Sequence, residues 1–240
     1  MSAEVDLVSR MHGRFKGIGL VMPEPQRKIY EKLRSQFVED IKTKHGYPKR
    51  ITKPTVVDVG CGIGIGANIL SAEAQFVWGI DSNPETVKFA TQMFARNQDN
   101  VYYSPQLTFD VVDALNEPRE MMRFDYIVCV EVIEHIPSAS AEGLLKFLNR
   151  FVKKGKNGAW QEDEGRSRIY LTTPNRNSPT LQQDTPRNPH HCYEATAGEL
   201  YAFFIQHYKY VTILNSNFEP VDGDTQDTPL CFKLEIPLHE

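Results

Sequence analysis

A glycine-rich turn that follows a short apolar run limits what this chain can fold into. In "VVDVGCGIGIGANIL", from Val56 to Leu70, an acidic residue, Asp58, precedes four closely spaced glycines: Gly60, Gly62, Gly64 and Gly66. Glycines let the backbone approach a ligand without an intervening Cβ atom. Ligands of open parallel sheets bind beyond the carboxyl ends of the strands. The stretch therefore predicts a strand, a ligand-binding turn and a helix, in that order.

Short apolar segments alternate with amphipathic segments from that turn onward. Strands are predicted in "TVVDVG", "QFVWGID", "LTFDVVDA", "FDYIVCVEV" and "RIYLTTP", and in the closing pair "YKYVTIL" and "LCFKLEIPL". Helices are predicted from about Gly64 to Glu73 and in "NPETVKFATQMFARN", the latter with Asn83 as cap and Pro84 at its first position, and the acidic segment "EPVDGDTQD" is a predicted turn. Such alternation predicts a parallel sheet that helices cover on both faces. The closing pair lacks an intervening helix, which predicts a hairpin and one antiparallel strand at or near an edge. We expect an α/β fold with a doubly wound, mostly parallel seven-stranded sheet and an antiparallel C-terminal hairpin strand.

A helical segment precedes the first strand. "QRKIYEKLRSQFVEDI" carries apolar residues at steps of four, which form one helical stripe: Ile29, Leu33, Phe37 and Ile41. An apolar, turn-rich run, "GIGLVMPEP", leads into it. We expect residues 1–50 to form an N-terminal helical lead and residues 51–240 to form the main domain. Within the lead, 15–34 is predicted to act as a lid; the alternative is a helix packed on the sheet without ligand contact.

Composition limits the partners and the location of the chain. With 240 residues and a net charge of -4 it has no overall basic field for nucleic acid or membranes, although a local basic patch stays open. No apolar run approaches the roughly 20 residues that span a bilayer, and the N-terminus lacks the apolar core of a signal peptide. Four scattered cysteines without a CxxC pair favour free thiols. We expect a cytoplasmic protein without membrane association; the sequence predicts no oligomeric state.

Asp58 separates the candidate ligands of the glycine turn. Gly62, Gly64 and Ala67 satisfy the G-x-G-x-x-A fingerprint of dinucleotide sites. A carboxylate just before the turn is a poor neighbour for a pyrophosphate and a good one for a cation. A phosphate-binding Walker loop is excluded, since no Gly-Lys-Ser/Thr follows. A NAD-dependent oxidoreductase and a non-catalytic cofactor-binding module are kept as alternatives from other functional classes.

The turn resembles the first motif of class I S-adenosylmethionine-dependent methyltransferases, Asp/Glu-x-Gly-x-Gly-x-Gly. The matching residues are Asp58, Gly60, Gly62 and Gly64, with Cys61 inside the turn. Their cofactor has no phosphate; it carries an amino-acid tail and a sulfonium. The resemblance implies that Asp58 orients or balances the cationic part and that the turn passes under the tail. It runs from about residue 55 to 210 and implies a Rossmann-like methyltransferase fold.

Three further segments match the same family. Asp81 ends the second strand, where the resemblance implies hydrogen bonds to the ribose hydroxyls of the cofactor. Asp113, followed by Ala114, ends the third strand, where the family places an acidic residue near the adenine. Glu131 follows the fourth strand and is also expected to contact the cofactor. We therefore expect S-adenosylmethionine as the cofactor of residues 51–240.

A second group of polar residues follows the fourth and fifth strands. In "EVIEHI" Glu131, Glu134 and His135 stand at i, i+3 and i+4, and a helical turn would point all three to one side. "NPHHCYE" adds His191 after the fifth strand, whose end should lie beside that of the fourth. We expect these four residues to bind Mg, Mn, Co or Zn. Glu131, His135 and His191 are the predicted catalytic residues, and a histidine base is the metal-free alternative. In the plainest alternative, Glu131 touches only the cofactor and the others are structural.

Two methyltransferase families share this second group. The chain resembles the small-RNA 3′-terminal 2′-O-methyltransferases through "EVIEH", "TTPN" and the segment from His191 to Thr196, although Ala195 stands where that family has Trp. It also resembles the ubiquinone-type O-methyltransferases through "EVIEH" and "TPNR". The resemblances imply transfer of a methyl group to a hydroxyl of a small molecule, or alternatively to the 2′-hydroxyl of an RNA 3′ end.

Overall fold

The computed structural model describes residues 22, 24–42, 53–95, 107–117, 121–154, 166–178, 188–215, 217–223, 225 and 229–238. Its contacts divide the chain into two compact units, Met1–Val112 and Asp113–Glu240. Residues 1–21, 23 and 43–50 of the predicted lead, and with them 15–21 and 23 of the predicted lid, lie outside the described residues, and both predictions stay predictions. None of the described helices is long and apolar enough to cross a membrane.

Three parallel strands organise the first unit. They are β1 (Thr55–Val59), β2 (Phe76–Asp81) and β3 (Leu107–Val111). β2 lies in the middle and pairs with β1 on one side and with β3 on the other. Val57 and Val77 are fully buried, as expected for strands that are covered on both faces. The pairing brings the carboxyl ends of the three strands, including Asp81 opposite Val111, to one edge.

The helices of the first unit follow the sequence signals closely. They are α1 (Glu24–Lys42), α2 (Ile65–Ser71) and α3 (Pro84–Ala90), and a π-helical turn, Thr91–Ala95, continues α3. The buried stripe of α1 is confirmed for Ile29, Leu33 and Phe37. The predicted cap of α3 is confirmed, because the Asn83 side chain accepts hydrogen bonds from Glu85 N at 2.9 Å and Thr86 N at 3.4 Å. α2 is shorter than the predicted helix from Gly64 to Glu73.

Five strands organise the second unit in the order β4-β5-β8-β6-β7. Their bounds are Tyr126–Val130, Arg168–Thr173, Tyr208–Leu214, Pro220–Val221 and Leu230–Pro237 for β4 to β8. β4 and β5 pair in parallel, with Val130 opposite Thr172. β8 is antiparallel to both β5 and β6. The α/β fold and the antiparallel C-terminal pair are thereby confirmed.

The C-terminal strands differ from the prediction in two respects. The antiparallel strand β8 lies between β5 and β6, inside the sheet, whereas it was predicted at or near an edge. Leu230, Phe232 and Leu234, which share one face of β8, are fully buried, and pairing with β5 and β6 leaves neither backbone edge of this strand open, as an edge position would. The two-residue β7 is an eighth strand, in a segment that was predicted to be a turn.

Two helices complete the described part of the second unit, α4 (Ala141–Asn149) and α5 (Ala197–Phe204). A capping box fixes the start of α5: Glu199 N donates to the Thr196 side chain at 3.2 Å, and Thr196 N donates to the Glu199 carboxylate at 2.8 Å. Short 3₁₀ turns, Ile133–His135 and Ser138–Ser140, connect β4 to α4. This connection places Glu131, Glu134 and His135, three residues of the second polar group, directly after β4.

Gly64 provides a test of the packing beneath the predicted ligand-binding turn. It has φ +83°, and an added Cβ would lie 2.7 Å from a Phe109 ring carbon and 2.8 Å from the Ala90 methyl. Gly64→Ala should therefore destabilise the protein by about 2–4 kcal/mol in urea unfolding, from backbone strain plus a steric clash. Gly198→Ala in α5 is the control: a Cβ there meets nothing within 4 Å, so this variant should gain up to about 1 kcal/mol. Equal stabilities of the two variants would contradict the packing described.

Candidate functional site

The glycine turn is fastened to the end of β2. The backbone N–H groups of Gly60 and Cys61 both donate to the carbonyl of Ile80, at 2.8 and 3.0 Å. Positive φ angles occur at Gly60, Gly62 and Gly64, which a side chain would disfavour. The turn thus has a fixed course between β1 and α2. The Cys61 thiol is buried, and this burial, with Asp58 and Asp81 nearby, raises its pKa well above the usual value, so it stays neutral.

Asp58 is fully buried beside this turn. The Tyr30 hydroxyl donates to its Oδ1 at 3.1 Å, while Oδ2 has no hydrogen-bond partner among the described residues. Burial raises the pKa of Asp58 to about 7; the Tyr30 hydrogen bond opposes this rise, and the charge of Asp81 adds to it. An unpartnered buried carboxylate oxygen is costly unless a ligand satisfies it. This observation fits the cationic amino group of S-adenosylmethionine, so the residues present suit that cofactor.

Asp81 is oriented at the end of β2. Its Oδ2 accepts from Gly62 N at 2.9 Å, and its Oδ1 accepts from Asn83 N at 2.8 Å. Its Oδ1 also accepts from the Thr86 hydroxyl at 3.4 Å, so donors from the turn and from the start of α3 fix the orientation of the carboxylate. The structure thereby brings Asp58, Asp81 and the glycines of the turn together within one unit.

The other residues predicted to contact the cofactor belong to the second unit. Asp113 is exposed and accepts hydrogen bonds from Asn116 Nδ2 at 2.7 Å and Leu115 N at 3.0 Å. These bonds, that of Asn116 first, lower the pKa of Asp113. Ala114 is half-buried. Their predicted contacts with the adenine stay predictions.

Three of the four predicted metal ligands lie together after β4 and β5. One ligand atom from each of Glu134, His135 and His191 lies within 4.8 Å of the others. His135 Nδ1 lies 3.1 Å from the carbonyl oxygen of His190; because a carbonyl only accepts, Nδ1 carries the proton. His135 Nε2 lies 4.0 Å from Glu134 Oε1. We name these three residues the Glu–His–His cluster.

Glu134 is the buried carboxylate of the Glu–His–His cluster, with 1% of its surface exposed. The Thr173 hydroxyl donates to Oε2 at 3.0 Å, and Oε1 has no hydrogen-bond partner in the described part of the chain. Burial, followed by the charge of Glu131, raises the pKa of Glu134. A buried acidic oxygen that faces two imidazoles and lacks a partner fits a divalent cation.

His191 is held from both sides. Its Nε2 lies 3.1 Å from Asn188 Nδ2, and its Nδ1 lies 2.8 Å from Glu194 Oε1. The amide of Asn188 donates, so Nε2 accepts and Nδ1–H points to the carboxylate of Glu194. A carboxylate behind an imidazole fixes its tautomer and raises its basicity, both for metal ligands and for general bases.

Glu131 does not belong to the set of ligand atoms within 4.8 Å that defines the Glu–His–His cluster, although its charge acts on Glu134. Its backbone is left-handed, with φ 55°, and the 3₁₀ turn begins only at Ile133, so the helical spacing expected for Glu131, Glu134 and His135 is absent. The Thr172 hydroxyl donates to Glu131 Oε1 at 3.0 Å, and Glu131 N donates to the Thr172 carbonyl at 3.0 Å. Burial raises the pKa of Glu131. A non-glycine residue in this conformation costs about 1–3 kcal/mol and is typical of functional sites.

The segment that carries His191 is tied to the 3₁₀ turn. Cys192 N donates to the Glu134 carbonyl at 2.7 Å, and the Cys192 thiol contacts the His135 carbonyl at 3.3 Å. On the other side, Asn175 forms an isolated bridge with Ala195. These backbone contacts fix the position of His191 relative to Glu134.

Five residues of these sites were not identified from the sequence as site residues: Tyr30, Thr172, Thr173, Asn188 and Glu194. Each acts by holding a predicted residue, and most are distant from it in sequence. Glu194 gave a local signal, because a carboxylate three residues after a histidine can reach its ring. The two threonines gave a weaker one, as consecutive hydroxyl side chains at the end of β5, the strand that pairs with β4.

The chain is similar in sequence to proteins named as methyltransferases. A ubiquinone biosynthesis O-methyltransferase of Nitrosomonas europaea is 29% identical over 127 residues, 53% of this chain and 46% of that protein. The corresponding enzyme of Glaesserella parasuis is 33% identical over 141 residues, 56% of this chain and 52% of that protein. The chain thus spans about half the length of the curated relatives it matches.

Solved structures share the fold at low sequence identity. The small RNA methyltransferase HEN1 matches with a TM-score of 0.63 and 18% identity, covering 94% of this chain and 27% of that one. The magnesium protoporphyrin IX methyltransferase of Synechocystis matches with a TM-score of 0.60 and 17% identity, covering 98% and 94%. The profile of the family described as "Methyltransferase domain" matches residues 27–211. Since this match covers more than half of the chain, the chain belongs to the methyltransferase domain family.

Proposed function

We propose that this chain is an S-adenosylmethionine-dependent methyltransferase that methylates a hydroxyl oxygen. The Glu–His–His cluster carries the proposal. In that cluster, the Nδ1 atoms of both histidines are held, that of His135 by the His190 carbonyl and that of His191 by Glu194, and a buried Glu134 oxygen has no partner in the described residues. Such a group suits the removal of a hydroxyl proton. Membership of the methyltransferase domain family and similarity to proteins named O-methyltransferases support the same function.

Residues of the first unit are assigned to the cofactor. Asp58 Oδ2 would accept from the amino group of the methionine tail, and Asp81 from ribose hydroxyls, while the turn from Gly60 to Gly64 passes close to the tail. When bound, S-adenosylmethionine supplies an electrophilic methyl group on a sulfonium. The protein itself must orient the acceptor and take its proton. The predicted roles of Asp113, Ala114 and Glu131 toward the cofactor stay predictions.

In the metal-free form of the proposal, His191 is the general base. Its Nε2 would take the acceptor proton, and the Glu194 carboxylate at Nδ1 would stabilise the resulting imidazolium. The contact between Asn188 and Nε2 would give way to the acceptor hydroxyl. His135, with its Nδ1 proton directed at the His190 carbonyl, presents a second basic nitrogen.

A divalent metal ion is the other part of the proposal. Glu134, His135 and His191 offer one oxygen and two nitrogens, a mixed set that suits Mg, Mn, Co or Zn, and Glu131 was predicted as the fourth ligand. A bound ion would lower the pKa of an acceptor hydroxyl. If the ion is bound, the histidine lone pairs would coordinate it. The histidines could then no longer take the proton of the acceptor.

Cofactor binding is the first test. S-adenosylhomocysteine and S-adenosylmethionine should bind in calorimetry and raise the melting temperature, while NAD should do neither. Asp81→Ala should weaken binding by about 1.5–3 kcal/mol, the usual contribution of hydrogen bonds to a charged group. Asp110→Ala is the matched control, because this exposed carboxylate on β3 contacts Trp78 and not the turn. Binding of NAD alone would favour the oxidoreductase alternative, and binding of S-adenosylmethionine without any turnover would favour the non-catalytic module.

Metal removal is the second test. Methylation of catechols and vicinal diols should stop in chelator and return when Mg, Mn, Co or Zn is added back.

His135→Ala and His191→Ala should lose at least about a hundredfold in turnover, the usual contribution of acid–base groups, while keeping cofactor affinity. His190→Ala is the control, because only its backbone carbonyl contacts the cluster. Metal affinity should rise with pH through the neutral range, since burial raises the pKa values of Glu131 and Glu134 and these carboxyl groups must lose their protons to bind a cation. Full activity in chelator would leave His191 as the base and remove the metal.

The protonation of Glu134 is the third test. Its pKa is raised, so the folded state holds more protons than the unfolded state above about pH 4.5, the usual glutamate value, and stability falls as pH rises from there to the raised pKa. In chelator, Glu134→Gln should thus be more stable than the wild type at pH 9, by about 1–3 kcal/mol, and close to it at pH 5. Glu199→Gln is the opposite control: its pKa is lowered, chiefly by the Thr196 backbone hydrogen bond, so that carboxylate stabilises the fold at high pH. A Glu134→Gln variant that is less stable at pH 9 would contradict the assigned burial.

A second candidate acceptor is the 2′-hydroxyl of an RNA 3′ end. The Glu–His–His cluster favours it, because a cation held by one carboxylate and two imidazoles has open positions for two neighbouring hydroxyls. The similarity in fold to a small RNA methyltransferase supports it as well. RNA with a free 2′,3′-diol should be compared with the same RNA lacking the 3′-hydroxyl and with the small-molecule panel. Methylation of the diol RNA alone would select the RNA acceptor.

A further inference from the structure

Helix α1 lies directly against the helix that follows the glycine turn. A Cβ added at Gly66 would lie 2.1 Å from Tyr30 Cζ and 2.4 Å from Tyr30 Cε1, so the ring of Tyr30 occupies the space a side chain would need. Ile29 and Leu33 are buried on the same helix. The ring is therefore held by close packing, and its hydroxyl has a defined direction.

That direction ends at Asp58. The Tyr30 hydroxyl donates to Oδ1 at 3.1 Å within the buried interior, and Oδ2 is left without a hydrogen-bond partner among the described residues. Other titratable groups around Asp58 are the Cys61 thiol of the turn and the Asp81 carboxylate at the end of β2. Asp81 repels the charge of Asp58 and the buried thiol stays neutral, whereas Tyr30 favours the charge.

We propose that Tyr30 is a positioning residue of the cofactor site, which holds the Asp58 carboxylate ionised and turned so that its second oxygen receives the ammonium group of the cofactor. This inference rests on the proposed function of the first unit. It makes α1 part of the cofactor site, although α1 precedes β1 and was predicted only as a lead or lid. Tyr30 acts through Asp58 and needs no contact with the cofactor itself.

A pH profile separates positioning from mere packing. Burial raises the pKa of Asp58 to about 7, and the Tyr30 hydrogen bond opposes that rise. Tyr30→Phe keeps the ring against Gly66 and removes the donor, so the pKa of Asp58 should rise further. Because the ionised carboxylate binds the ammonium group, the acid limb of cofactor affinity should move to higher pH. The alkaline limb, which the amino group of the ligand sets at about pH 8, should stay in place.

The experiment is titration calorimetry of S-adenosylhomocysteine against wild type and Tyr30→Phe from pH 5.5 to 9. A lost hydrogen bond to a charged group corresponds to about one pKa unit, so Tyr30→Phe should bind about tenfold more weakly at pH 6 and about threefold more weakly at pH 7.5. In an Asp58→Asn background, Tyr30→Phe should cause no pH-dependent loss, because the ionising group is absent.

Tyr208→Phe is the matched control. Its hydroxyl donates to Asn149 Oδ1 at 2.8 Å, so this variant also loses a buried tyrosine hydrogen bond, but far in sequence from the glycine turn. It should lose stability and keep the wild-type affinity profile. Superimposable profiles for wild type and Tyr30→Phe, or a uniform loss at every pH, would overturn the positioning role. A wild type that binds no S-adenosylhomocysteine at any pH would overturn the proposed function itself, and with it this inference.

Discussion

Both candidate sites are organised around a buried carboxylate with one oxygen held and the other without a hydrogen-bond partner in the described residues. At Asp58 the held oxygen accepts from Tyr30, and at Glu134 it accepts from Thr173. Taking an acidic group out of water disfavours its ionised form, and both pKa values are accordingly raised. Each of these carboxylates therefore lowers the stability of the folded state when it is ionised. A bound cationic ligand would offset this loss. This cost explains why the surrounding elements fix these side chains so tightly.

The same constraint links ligand binding to the pH dependence of stability. A carboxylate with a raised pKa stabilises the folded state least when it is ionised, which is also the form that binds a cation. Substitutions by the neutral amide should then separate the two properties, with a more stable protein and a weaker site. Glu199 shows the contrasting case, because its pKa is lowered by the capping hydrogen bonds of α5 and its charge serves the fold.

The sequence predicted the elements that depend on local patterns. The stripe of α1, the Asn83 cap and the paired C-terminal strands follow from periodicity and side-chain chemistry that a single segment contains. The position of β8 inside the sheet does not follow from such patterns, because it depends on which two strands form hydrogen bonds with its backbone edges. The departure of Glu131 from helical spacing also could not be predicted, because its left-handed backbone is set by hydrogen bonds with Thr172 on another strand. Residues that hold other residues, such as Tyr30, were missed for the same reason.

The choice of a hydroxyl as the supporting donor has a consequence for both sites. An arginine or lysine beside Asp58 or Glu134 would lower the pKa of the carboxylate further, but it would also neutralise the charge that a ligand is meant to meet. A tyrosine or threonine hydroxyl donates one hydrogen bond and carries no charge. It therefore fixes the direction of one oxygen and leaves the negative charge available at the other. Glu235 illustrates the alternative, since Arg166 contacts its carboxylate at 2.7 Å and Lys233 at 3.4 Å. These side chains balance the charge of Glu235, which therefore serves the fold and not a ligand.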